Sequence, residues 1–70
     1  MEKFSARIKE LRQSQGLSQE ALGKIIGVKR YSVYTYEKGR NYTDIQHLME
    51  LADYFDVTTD YLLGRSDNRK

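Results

Sequence analysis

Apolar residues recur every three or four positions through most of this chain, which is the spacing of amphipathic α-helices. Phe4, Ile8 and Leu11 form the first such stripe. The spacing predicts a helix over about residues 3–15 that ends at Gly16. The chain has no proline, and alternating runs of β-branched residues are missing. The pattern therefore predicts an all-α fold.

Capping residues and glycine terminators predict four further helices. Helix 2 is expected to start at Ser18, a good N-cap, and to end before Gly27. Helix 3 is expected over about 29–38 and is closed by Gly39, whereas helix 5 is expected over 58–63 between the cap Thr58 and the terminator Gly64.

Helix 4 is expected to open at Thr43 or Asp44, because Thr43 and Gln46 have the spacing of a capping box. It is expected to run to about Phe55. The positions predicted to face inward are Ile45, Leu48, Met49, Ala52 and Phe55.

The segment 17–39 has the pattern of two short helices joined by a glycine turn. The helices of such a unit cross steeply and almost touch, so the contact residue of the first helix, Gly23, must be small. The turn residue, Gly27, needs a positive φ, which glycine adopts at little cost. The residues expected to supply the apolar contact between the helices are Leu22, Ile25, Ile26, Val33 and Tyr36.

Seventy residues make one domain at most. We expect a folded domain over 1–64 and a polar tail over 65–70 that frays. The chain has no cysteine and one histidine, no cluster at metal-ligand spacing, and no apolar run near the ~18 residues that span a bilayer. We therefore predict a cytoplasmic protein that is not an enzyme, with no metal, cofactor or membrane, and no small-molecule ligand is evident.

The charge is divided unevenly along the chain. Residues 1–40 hold nine Lys/Arg against four Asp/Glu, a balance of +5, and residues 41–70 hold three against six, a balance of −3. A basic half that carries the glycine-turn unit suits a polyanionic partner. A normally solvated surface explains the same distribution equally well.

Three motifs resemble the Cro/repressor-type (XRE-like) helix-turn-helix family of phage and bacterial transcription regulators. They are GLSQE at 16–20, YEKGR at 36–40 and VTTDYLLG at 57–64, and the resemblance runs from about Phe4 to Gly64. It implies a compact five-helix bundle in which helix 3 enters the major groove of double-stranded DNA. It also implies an ion pair between Arg12 and Glu37, for which the alternative is that both side chains are solvated.

The chain departs from the family pattern at two places. Lys29 stands at the N-cap of helix 3, where the family usually has serine or threonine, and a cation there is disfavoured by the helix dipole. Lys29 is therefore a candidate for a phosphate contact. Thr43 stands where proline commonly precedes helix 4, so the loop 40–42 is expected to be less rigid than in the family.

Arg30 is the first candidate for contacting a base, because its planar guanidinium can donate two hydrogen bonds to O6 and N7 of guanine. The alternatives are a phosphate contact or a free position on the surface. Tyr31 could meet a thymine methyl group or a phosphate, and Thr35 could reach a base edge. Tyr34 could touch the DNA backbone or only cover the flank of helix 3. The other residues expected to contact the DNA backbone are Gln19, Lys29, Lys38, Arg40 and Asn41.

Groove-binding domains of this size usually act as two-fold dimers. Tyr54, Tyr61 and Leu62 are candidates for a homodimer interface, with packing inside the molecule as the alternative. The leading hypothesis is a sequence-specific regulator, most simply a repressor of a palindromic operator, with activation left open. The second hypothesis is a protein-interaction module of the same fold, such as an antitoxin or adaptor.

Overall fold

Five helices form from the five stretches in which apolar periodicity and capping residues coincide. In the computed structural model they are α1 (Glu2–Ser14), α2 (Gln19–Ile26), α3 (Arg30–Glu37), α4 (Ile45–Phe55) and α5 (Thr59–Leu63). The structure describes residues 2–70, and Met1, the first residue of the predicted domain 1–64, lies outside them. No strand occurs within residues 2–70, and the predicted all-α fold is confirmed.

Side-chain caps fix the starts of three helices. Ser18 and Thr58 cap α2 and α5 as predicted, because their hydroxyl oxygens accept hydrogen bonds from the backbone N–H groups of Ala21 and Tyr61, both at 3.0 Å. Of the two starts predicted for α4, the one at Asp44 is confirmed, whereas the capping box at Thr43 is wrong. Asp44 is the N-cap of α4 instead, and its carboxylate accepts the N–H of His47 at 2.8 Å.

The core forms where the apolar stripe of α1 meets the other helices. Phe4, Ile8 and Leu11 are all buried, and the ring of Tyr36 meets that of Phe4 edge-on at 6.1 Å between centroids. The other buried hydrophobic residues are Leu22, Ile26, Val33, Leu51, Ala52, Phe55, Tyr61 and Leu62. This packing places α2 and α3 side by side.

The inward face of α4 differs from the prediction. Ile45 is 77% exposed and Met49 55% exposed, so the assignment of both to the core is wrong. α4 packs against α2 and α5 through a narrower face, Leu51, Ala52 and Phe55, with Leu48 at its edge. The apolar stripe of α4 is thus wider than the surface that its neighbours cover.

The tail 65–70, which was expected to fray, lies against α1 and α5. Arg7 donates hydrogen bonds to the backbone carbonyls of Tyr61 and Ser66 and to the carboxylate of Asp67. The hydrogen bond from Arg7 lowers the pKa of the Asp67 carboxyl, and the charge of Lys3 adds to the effect. The tail is thereby joined to α1 through a side chain near the start of the chain.

Candidate nucleic-acid interface

The turn between α2 and α3 has the close approach that the glycine spacing predicts. A Cβ atom on residue 23 would lie 2.7 Å from the backbone oxygen of Val28, closer than real Cβ atoms come. Gly27 ends α2 with φ of 82°, and Val33 of α3 is fully buried against the turn. Ile25, by contrast, is partly exposed, so its predicted role in the contact between the two helices is wrong.

A buried ion pair holds α1 against the end of α3. Arg12 donates from Nε to Oε2 of Glu37 at 2.6 Å and from Nη2 to Oε1 at 3.0 Å, so the predicted pair is confirmed. The Glu37 side chain is only 3% exposed. Its hydrogen bonds to Arg12 raise the pKa of the guanidinium above its already high ordinary value. Arg12 therefore stays charged at every pH at which the protein is handled.

The same carboxylate also reaches α2. The side-chain amide of Gln19 donates to Oε1 of Glu37 at 3.2 Å, and Arg12 donates from Nη1 to the carbonyl oxygen of Leu17 at 2.7 Å. Glu37 thus joins the start of α2, the end of α3 and α1 in one network. Gln19 is the first residue of α2, where backbone N–H groups lack intrahelical partners, so its main-chain N–H can meet an anion.

A set of cations surrounds the exposed face of α3. Lys29 and Arg30 stand at its start, and Lys38 and Arg40 follow its end, and all four side chains are exposed. Within residues 2–70, none of the four forms an ion pair, whereas Arg7, Arg12, Arg65 and Arg69 all do. Asn41 lies exposed beside them. We call Lys29, Arg30, Lys38 and Arg40 the cationic face.

Lys29 occupies the N-cap of α3 without capping it. Its backbone is extended, at φ of −79° and ψ of 157°, and its side chain makes no capping hydrogen bond. An N-cap without a hydrogen-bonding side chain typically costs about 1 kcal/mol. The start of α3 therefore presents a lysine where an ordinary helix would have its own capping oxygen.

Two tyrosine rings lie between the two ends of the cationic face. Tyr31 is 63% exposed, and its ring stacks on that of Tyr34 at 6.0 Å between centroids and 28° between planes. The Nζ atom of Lys38 lies 5.8 Å from the centre of the Tyr34 ring, and the guanidinium carbon of Arg40 lies 5.9 Å from it. Tyr34 is therefore the point at which the aromatic and cationic side chains of this surface meet.

Thr35 does not belong to this surface, so its predicted contact with a base is wrong. Its side chain is buried, with 3% exposure, and its hydroxyl donates to the carbonyl of Ser32 at 2.7 Å. Beyond Gly39 the chain turns back, and the N–H of Arg40 donates to the carbonyl oxygen of Thr35 at 3.0 Å. The helical spacing placed Thr35 one turn from Tyr31, but it could not show that the Thr35 side chain is buried in the folded molecule.

Two of the three predicted interface residues are also internal. Leu62 is fully buried, and Tyr61 is 6% exposed, with the guanidinium of Arg7 over its ring at 4.1 Å. For these two residues the interface assignment is therefore wrong, and the alternative, packing inside the molecule, holds. Tyr54 remains partly exposed beside Phe55. The interpretation missed Ile45 and Met49, which lie one turn apart on the outer side of α4, although their i, i+4 spacing indicated a shared face.

In the part of the chain that the structure describes, no group of three potential metal-ligating side chains comes together. No helix among those residues is long and apolar enough to cross a membrane.

Comparisons with known proteins give consistent matches. Residues 8–62 match a family described as helix-turn-helix. The chain is 35% identical over 60 residues to YonR of Bacillus subtilis, a prophage-derived uncharacterized HTH-type transcriptional regulator, which covers 86% of this chain and 56% of that protein. It is 31% identical over 64 residues to the B. subtilis HTH-type transcriptional regulator ImmR, covering 91% of this chain and 50% of ImmR. The chain spans about half the length of these curated relatives.

Two solved structures have the same fold. The P22 c2 repressor, crystallised with a synthetic operator, superposes with a TM-score of 0.83 at 26% identity and covers 89% of this chain and 94% of its own. The restriction-modification controller protein C.AhdI from Aeromonas hydrophila superposes with a TM-score of 0.77 at 34% identity, over 87% of this chain and 92% of its own.

Proposed function

The chain belongs to the helix-turn-helix family of transcription regulators, a non-enzymatic DNA-binding fold, and we propose that it binds specific sequences of double-stranded DNA with α3 in the major groove. The observation that carries this proposal is the cationic face: four exposed, unpaired cations around one helix that the glycine turn holds outward. Unpaired cations on one face match the regular phosphates of a duplex.

Arg30 and Tyr31 are the residues that we assign to the bases, because both are exposed in the first turn of α3, the part of such a helix that meets base edges. Lys29, Lys38 and Arg40 are assigned to phosphates. Asn41 and the main-chain N–H of Gln19 are assigned to further contacts with the DNA backbone.

We further propose that the protein acts in the cytoplasm as a repressor that occludes a promoter by binding a palindromic operator. The P22 c2 repressor, to which this chain is similar, was crystallised with a synthetic operator, and this supports the proposal. An antitoxin or adaptor of the same fold would need an acidic protein surface to meet the same four cations.

A second copy of the chain completes the proposed complex. Half-sites in a duplex lie about 34 Å apart, and the longest Cα extent of this molecule is 27 Å. About 7 Å would therefore separate the Cα traces of copies on adjacent half-sites, a gap that side chains from both copies can fill. Ile45 and Met49 are exposed apolar side chains on α4. We propose that they form the homodimer contact, with Tyr54 at its margin, in place of the buried Tyr61 and Leu62.

The proposed DNA contacts are tested by comparing two substitutions. Arg30→Ala should relax sequence preference, because losing a bidentate guanine contact removes about 1–3 kcal/mol of discrimination at one position. Lys38→Ala should weaken all duplexes alike and reduce the salt slope by about one unit. The measurement is selection of bound duplexes from a random pool, followed by titration of the selected duplex at several salt concentrations. Lys9→Ala, on α1, is the matched charge control.

Two results would contradict this assignment. If Arg30→Ala left both affinity and sequence preference unchanged, α3 would not be the helix that contacts the bases. If the unmodified protein retained no duplex even at low salt and captured a protein partner instead, the interaction-module hypothesis would replace DNA binding.

The homodimer contact is tested by Met49→Glu, which places a charge on the exposed apolar face of α4. We expect the measured mass in sedimentation to fall from that of two chains to that of one, because a desolvated charge opposes apolar contact. Binding to a palindromic duplex should then lose its cooperativity. Gln13→Glu adds the same charge at an exposed position of α1, away from the proposed contact on α4, and should leave the mass unchanged. A single-chain mass for the unmodified protein on and off DNA would reject the contact.

A further inference from the structure

Tyr34 is placed to organise the cationic face, and this gives it a different role from the direct DNA contact that the sequence suggested. Its ring is near three side chains at once: the ring of Tyr31, the ammonium of Lys38 and the guanidinium of Arg40. Both cations lie within the distance of about 6 Å at which an aromatic face attracts a positive charge.

We propose that the ring of Tyr34 is a positioning element, which holds Lys38, Arg40 and Tyr31 in a DNA-competent arrangement before the duplex arrives. This inference rests on the proposed function, because it concerns the same surface. It adds a role that belongs to the aromatic face of Tyr34 and not to its hydroxyl group.

The physical reason lies in side-chain freedom. Lysine and arginine have long, flexible side chains, and fixing either of them against a phosphate costs conformational entropy. A ring that already restrains both head groups removes part of this cost before binding. Losing the ring should therefore weaken duplex binding by about five- to tenfold, even where Tyr34 itself touches no atom of the DNA.

Residues before and after Tyr34 in the chain help to hold the neighbouring side chains against its ring. Tyr31 stacks on Tyr34 from one turn earlier in α3, and Gly39, with φ of 73°, turns the chain after Lys38 so that Arg40 returns towards the helix. The hydrogen bond from the N–H of Arg40 to the carbonyl oxygen of Thr35 fixes that return. The backbone therefore places both cations beside the ring independently of any ligand.

Comparing Tyr34→Phe with Tyr34→Leu separates the ring from the hydroxyl. The phenylalanine variant keeps the aromatic face and should stay within about twofold of the unmodified affinity, whereas the leucine variant should lose about five- to tenfold. Both are titrated against the duplex selected from the random pool, with folding checked by circular dichroism. If phenylalanine weakened binding as much as leucine, a direct hydroxyl contact would replace the proposal, and if leucine had no effect the ring would carry no role.

A double-mutant cycle tests whether Tyr34 acts through the cations. In a background of Lys38→Ala and Arg40→Ala, the further change Tyr34→Leu should cost clearly less than it does in the unmodified protein, because only Tyr31 is then left for the ring to position. A full, additive loss in that background would overturn the proposal, since it would mean that Tyr34 binds the DNA by itself.

An NMR measurement on the free protein, without DNA, tests this inference separately from the proposed function. In the free protein, protons next to the Lys38 ammonium and the Arg40 guanidinium should show upfield NMR shifts from the Tyr34 ring, retained in Tyr34→Phe and lost in Tyr34→Leu. Absence of these shifts in the unmodified protein would refute the positioning role. Their presence in a protein that binds no duplex would instead confirm the arrangement and reject DNA binding.

Discussion

Arg12→Ala is expected to lower the free energy of unfolding by about 3–5 kcal/mol, because it leaves the buried carboxylate of Glu37 without its cation. Glu37 accepts two hydrogen bonds from Arg12 and only one, at 3.2 Å, from Gln19. The same substitution also removes the hydrogen bond from Arg12 to the carbonyl of Leu17. One side chain thus supports the junction of three helices.

The size of the domain makes this loss decisive. A core in a chain of this length rarely supplies more than about 3–5 kcal/mol, so the Arg12→Ala protein should be largely unfolded at 25 °C. Urea denaturation followed by far-ultraviolet circular dichroism measures the effect. Arg65→Ala is the control, because its ion pair with Asp60 is exposed and 3.8 Å long, and removing such a pair costs at most about 1 kcal/mol.

Replacing both Arg12 and Glu37 separates two contributions to the free energy of unfolding. One is the cost of burying the Glu37 charge without a cation, and the other is the net stabilisation by the ion pair. The double variant Arg12→Met with Glu37→Leu has no charge left to desolvate and should recover most of the stability that Arg12→Ala loses. If Arg12→Ala cost no more than Arg65→Ala, Glu37 would have to be solvated in solution, and its role at the junction would be wrong.

The features predicted correctly from the sequence are those set by local rules. Ser18 and Thr58 cap helices because a short hydroxyl side chain can accept an N–H in its own first turn, whatever lies elsewhere in the molecule. The roles of Gly23 and Gly27 could be predicted from the sequence, because only glycine lacks a side chain and adopts a positive φ at little cost. The Arg12–Glu37 pair joins distant helices and came from the resemblance.

The wrong predictions concern which neighbour covers a given face. Periodicity showed that Ile45 and Met49 share the apolar side of α4, but it could not show that α2 and α5 cover only part of that side. The same limit applies to Tyr61. Its ring appeared free for a partner because nothing local reveals that Arg7, 54 positions earlier in the chain, lies over it.

The tail was misjudged for a related reason. Residues 65–70 contain no apolar side chain, and polarity at a chain end usually indicates fraying. Their contacts are polar instead: the N–H of Thr58 donates to the carbonyl of Arg69 at 2.8 Å, and Arg69 pairs with Glu10. Such contacts depend on the position of α1 in the folded molecule, which hydropathy does not encode.

Gly23→Ala is expected to reduce the duplex affinity of the folded protein by about tenfold or more, because it moves α3 relative to the rest of the molecule. The added methyl group would lie 2.7 Å from the carbonyl oxygen of Val28, an atom of the backbone that cannot rotate away. The turn and α3 must therefore shift together. Overpacking of this kind costs about 1–3 kcal/mol of stability, and a shifted helix forfeits base contacts worth about 1–3 kcal/mol each.

Gly27→Ala provides the matched control, since it adds the same methyl group four residues later in the same unit. Nothing lies within 4 Å of that position, but its φ of +82° strains an alanine, at a cost of about 1–2 kcal/mol. Both variants should therefore lose stability, whereas only Gly23→Ala should lose affinity once binding is corrected for the folded fraction. Fluorescence anisotropy with the selected duplex, together with urea titrations of each variant, makes the comparison. Equal affinities for the two folded variants would show that close packing at Gly23 does not set the position of α3.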